Sequence, residues 1–122
     1  MMNEQISNFN SIVGNVISIK LAHHYLGHFE KYQDRLTDEN GSRIPINRFL
    51  TTAEWNEAVA KGVYGAMNAG CMLEGVIPFF EALDKMRDPP AWAEYFLPAD
   101  TDFPAMKKEM ERLQRKYFAG ED

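Results

Sequence analysis

All three histidines of this chain fall within six residues, in the run His23-His24-Tyr25-Leu26-Gly27-His28. Residues four apart share a face of a helix, so His24 and His28 have the spacing of a two-histidine metal site. An iron or zinc ion held there needs a further donor from another segment. Glu74 is the candidate, because it and Glu81 are the only charges between Lys61 and Asp84. If buried, the Glu74 carboxyl would also have a raised pKa and could act as an acid or base. The plainer expectation is that His23, His24 and His28 sit on a solvated helix face, and that Glu74 reaches solvent or pairs with a cation. No H-E-x-x-H or E-x-x-H pattern supports the metal. Cys71, the single cysteine, lies among Met67, Met72 and Leu73 and reads as a small buried hydrophobe rather than a nucleophile. No Ser/His/Asp or Cys/His constellation is visible, and no glycine-rich phosphate loop follows a strand. No catalytic residue and no cofactor are therefore expected.

The second group with functional character is aromatic and acidic. The segment from Ala91 to Leu97 is bracketed by prolines and carries Trp92, Glu94 and Tyr95, with Asp100 just beyond it. Trp and Tyr are common interface anchors, and acids beside them suit a basic partner surface. Alternatively, Trp92, Phe96 and Leu97 plug one end of a bundle as a short lid helix. Charge is uneven along the chain. Between Met106 and Phe118 there are five basic residues and two acids, whereas the whole chain has 13 Lys+Arg against 18 Asp+Glu, a net charge of −5. That balance disfavours nucleic-acid binding, and an acidic decoy that blocks a nucleic-acid-binding protein ranks last among the functions considered.

The elements that must position these residues read as helices. Asn40-Gly41-Ser42 with Pro45, and Asp88-Pro89-Pro90 with Pro98, mark two connectors between three long segments. In the second segment Thr51 and Glu54 form a capping box. The residues Trp55, Val59, Gly62, Ala66, Ala69, Leu73, Val76, Phe80 and Leu83 then keep a four-three spacing, which predicts one long central helix, kinked near Pro78. A third helix is expected from Thr101-Asp102 to Gly120, with Met106, Met110, Leu113 and Tyr117 as its seam. The stretch from Val63 to Leu83 is long enough to span a bilayer, but Glu74 and Glu81 argue for a buried helix instead.

In the first segment, Ile6 to Ile19 and Leu21 to Leu36 place their apolar residues on opposite sides of a helix. One continuous helix is preferred to a hairpin at Gly14-Asn15. The early face, with Ile12, Val16 and Ile19, is then left for a partner.

The expectation is a single all-α domain over residues 1–122: a small bundle of three long helices plus a short lid helix. Absence of a secretory signal pattern points to the cytoplasm. The expected function is that of a non-enzymatic adaptor, regulator or inhibitor, acting as a homodimer or in complex with another protein. The main alternative is a metal- or small-ligand-binding bundle built on the histidine cluster.

Overall fold

The computed structural model describes residues 2–120, with side chains from Gln5 onward. The described residues are all-helical, with five α-helices: α1 (Met2–Tyr25), α2 (His28–Tyr32), α3 (Thr52–Asn68), α4 (Val76–Asp84) and α5 (Phe103–Phe118). Short 3-10 turns lie at Gln33–Arg35, Ile46–Arg48 and Ala91–Tyr95. Among the described residues there is no strand, only an isolated bridge between Thr37 and Arg43.

The first segment is one continuous helix through Gly14 and Asn15, not a hairpin. It stops where Gly27 adopts φ 77°, a left-handed conformation that suits a residue without Cβ. α3 starts at the capping box read from the sequence: the Thr51 side chain accepts from Glu54 N–H, and the Glu54 carboxylate accepts from Thr51 N–H.

The single kinked central helix is not what forms. α3 ends at Asn68, and a loop separates it from α4. Gly70, at φ 93°, terminates α3 with a Schellman pair: Gly70 N–H donates to Met67 C=O and Cys71 N–H to Ala66 C=O. Pro78 does not bend a helix, because it sits in the first turn of α4, where its missing N–H has no intrahelical acceptor to lose. The apolar spacing nevertheless continues across the break: Leu73, Val76, Phe80 and Leu83 are buried, while Ala69 is exposed.

α3 is the centre of the domain. α1 runs antiparallel along it, with His23 stacked near Trp55, Ile19 against Gly62 and Ser11 at Met72. α5 runs parallel to α3, its seam Met106, Met110 and Leu113 buried, and Tyr117 OH donates to the Met67 carbonyl. α5 begins as expected, with Asp102 Oδ1 accepting from Ala105 N–H and Pro104 in the first turn. The Ala91–Tyr95 turn covers the bundle end through Ala93 and Leu97. Trp92, expected as the plug, is instead 49% exposed and touches Phe96 edge-on.

Candidate functional site

α1 turns a row of small polar residues inward, alongside Ile19 and Ala22. Ser11 and Asn15 are fully buried, and Ser18 donates to the Gly62 carbonyl. Ser11 holds the loop between α3 and α4: its hydroxyl donates to Met72 C=O at 2.7 Å and accepts from Gly75 N–H at 3.1 Å and Val76 N–H at 3.0 Å. These are orphan donors of the first turn of α4, whose own N-cap, Gly75, has no side chain to offer. Asn15 Nδ2 also donates to Met72 C=O, at 3.0 Å. Such polar anchors need close backbones, and glycines provide them. A Cβ on Gly62 would lie 2.6 Å from Ile19 Cα, and one on Gly75 would overlap the Asn8 carbonyl oxygen.

The opposite side of α1 carries Ile6, Phe9, Val13, Ile17, Leu21 and Tyr25, each between 38% (Val13) and 76% (Tyr25) exposed. From Phe9 onward these residues are spaced by four, so they form one continuous ridge along a helix roughly 36 Å long. This corrects the face expected from the sequence. Ile19 is buried in the chain's own core, Ile12 and Val16 are half-buried, and Val16 lies beside Tyr95 and Phe96 of the lid. Nor does the apolar side reverse at Leu21. Leu21 and Tyr25 continue the ridge of Val13 and Ile17, while Ala22 turns inward.

Beside Leu21 and Tyr25 the ridge meets an open groove of about 770 Å³ between α1, α3 and α5, with Leu26, Tyr64 and Leu113 in its walls. Lys61 Nζ lies over the Tyr25 ring at 4.1 Å at its edge.

The proposed metal set is not brought together. Gly27 breaks the helix between His24 and His28, so the i,i+4 face does not exist: His24 is exposed and His28 is buried. Glu74 is exposed and accepts from Ser7 Oγ at 3.2 Å; Ser7 lies roughly 24 Å from His23 along α1. Among the described residues no group of three or more His, Cys, Asp or Glu could hold a metal ion. The histidines that do meet are His23 and His28, both buried, with Nδ1 atoms 2.9 Å apart. At that distance one ring nitrogen donates and the other accepts. Burial first, then the charges of His28, Lys20 and His24, lower the His23 pKa to about 4, with Glu54 pulling weakly the other way. The pair, with His23 stacked near Trp55, is a packing element.

The acidic lid is also less free than its sequence suggested. Glu94 pairs with Arg48 at 2.8 Å and its carbonyl accepts from Asn47 Nδ2 at 2.7 Å, so it fastens the lid to the Ile46–Arg48 turn. Tyr95 OH donates to the Arg43 carbonyl. Asp100 is exposed and borders a cleft of about 430 Å³ between the starts of α3 and α5. On that rim Thr51 and Asp102 cap helices and Glu109 pairs with Arg112, whereas Trp55 Nε1 and Thr101 Oγ1, which also line the cleft, are buried without a hydrogen-bond partner. Cys71 is half-buried, with Gly14 directly against its sulfur.

No described helix is long and apolar enough to cross a membrane. The chain matches no family model, no curated protein and no solved structure.

Proposed function

We propose that this chain is a non-enzymatic interaction module, an adaptor, regulator or inhibitor that acts as a homodimer or in complex with another protein, docking through the outward ridge of α1. One observation carries this: six large apolar side chains, Ile6, Phe9, Val13, Ile17, Leu21 and Tyr25, stand exposed along α1, while Ser11 and Asn15 of the same helix are buried in the chain's own core. Monomeric proteins rarely leave so large a contiguous apolar patch in water unless something binds it. The exposed Trp92 and Tyr95 of the lid form a smaller, secondary contact area. A photo-crosslinking residue placed at Ile17, expressed in the native host, tests the proposal. It should capture a protein at a discrete mass, whereas the same residue at the exposed Lys108 on α5 should not. Equal capture at both positions, or none at either, would remove the support for a docking ridge.

A further inference from the structure

We infer that the occupant of the ridge is a second copy of this chain, paired antiparallel about a two-fold axis between Val13 and Ile17; this rests on the docking role proposed above. Area comes first. The six ridge residues are on average a little over half exposed. With full areas on the order of 200 Å² per large side chain, that leaves roughly 700 Å² uncovered on each copy. Covering both ridges completely would remove at most roughly 1,400 Å², the lower part of the range of stable specific interfaces. The spacing comes second. Phe9, Val13, Ile17, Leu21 and Tyr25 are a single i±4n row, and such rows interdigitate with one another at a crossing angle of about −50°. The ridge is therefore complementary to itself.

The order of sizes along the row is also compatible with two-fold symmetry. Antiparallel pairing sets Val13 opposite Ile17 and Phe9 opposite Leu21. The slimmest residue lies nearest the axis, where the helices approach most closely, and each contact occurs twice, as an isologous interface requires. The groove beside Leu21 and Tyr25 adds an apolar flank at the place where Phe9 of the second copy would arrive. The ridge itself has no charged residue, so like charges do not face one another across the axis.

Sedimentation equilibrium of the full chain from micromolar to millimolar concentration, with two single variants, tests the pairing. The wild-type mass should rise from 14.0 kDa toward twice that value. Val13→Glu and Ile17→Lys should each weaken self-association on the order of a hundredfold. Both positions are exposed in the single chain, so both variants should keep the wild-type circular dichroism spectrum. Mixing the two variants should restore association, because the antiparallel register sets the new carboxylate of one chain against the new ammonium of the other. A parallel register would bring no such pair together.

A chain that stays at 14.0 kDa at millimolar concentration overturns the pairing, as does a mixture no more associated than its components. If the chain stays single while the crosslinker at Ile17 captures a different protein, self-pairing fails and the docking role stands. Binding to phosphatidylcholine vesicles that Ile17→Lys abolishes, with no capture of any protein, overturns both.

Discussion

Replacing Ser11 by alanine removes one hydroxyl and leaves two buried N–H groups without an acceptor. Ser11 is 1% exposed, so water does not take its place. The Met72 carbonyl still accepts from Asn15 Nδ2 at 3.0 Å, so its loss is minor. The Gly75 and Val76 amides, at 3.1 and 3.0 Å from the hydroxyl, lose their side-chain acceptor at the start of α4. Stranding a buried donor costs about 1–3 kcal/mol, and losing an N-cap costs about 1 kcal/mol in simpler cases. Ser11→Ala should therefore destabilise the domain by about 3 kcal/mol. Denaturant titration followed by circular dichroism should show the midpoint falling at nearly constant slope. Ser7→Ala, which removes only an exposed bond to Glu74, should cost under about 0.5 kcal/mol. If Ser11→Ala costs less than about 1 kcal/mol, Ser11 does not anchor the loop and the inward polar packing of α1 is wrong.

Two further perturbations separate backbone contact from charge. Gly62→Ala pushes a methyl to 2.6 Å from the Ile19 backbone and should cost about 2–4 kcal/mol in denaturant titration, whereas Gly65→Ala meets only the Ser18 hydroxyl at 3.2 Å and should stay within about 1 kcal/mol of wild type. For pH, the His23 ring titrates near 6.5 in the unfolded chain and at about 4 when folded. Above pH 6.5 it is neutral in both states and contributes nothing. As pH falls from 6.5 toward 4 the unfolded chain takes up the proton first, so up to about 3 kcal/mol of stability is lost in that window. His23→Gln should flatten this part of the stability–pH curve. Glu54 acts lower. Burial raises its pKa, but the Lys31 ammonium, the Thr51 N–H and the Tyr32 hydroxyl together bring it down to about 2, so its contribution fades as pH falls from 4.5 toward 2.

The helices were legible wherever local chemistry set their ends. Thr51 with Glu54, Asp102 with Pro104, and Gly120 each marked a boundary that the fold keeps. The break at Gly70 was hidden because the apolar spacing from Trp55 to Leu83 runs on through the loop, and buried loop residues such as Leu73 mimic helical periodicity. Gly27 stands within a helical run of residues, and the spacing of His24 and His28 predicts a shared face that the left-handed conformation of Gly27 abolishes. The orientation of α1 was missed for a different reason. The sequence leaves the whole early face, Ile12, Val16 and Ile19 included, to a partner, but Gly62 brings α3 so close that Ile19 packs into the chain's own core, while Val13 and Ile17 stay outward. The signal was present as two parallel rows, Ser11, Asn15, Ser18 and Ala22 against Phe9, Val13, Ile17 and Leu21. Only the glycines of the facing helices indicate which row lies inside.

Solvent paramagnetic relaxation of methyl-labelled protein, recorded in dilute solution with a soluble gadolinium chelate, addresses that orientation residue by residue. Methyls of Val13, Ile17 and Leu21 should relax strongly, while those of Ile19, Val63 and Leu73 should be protected. The opposite pattern, with Ile19 accessible and Val13 and Ile17 shielded in the single chain, would contradict an outward ridge and the docking role built on it.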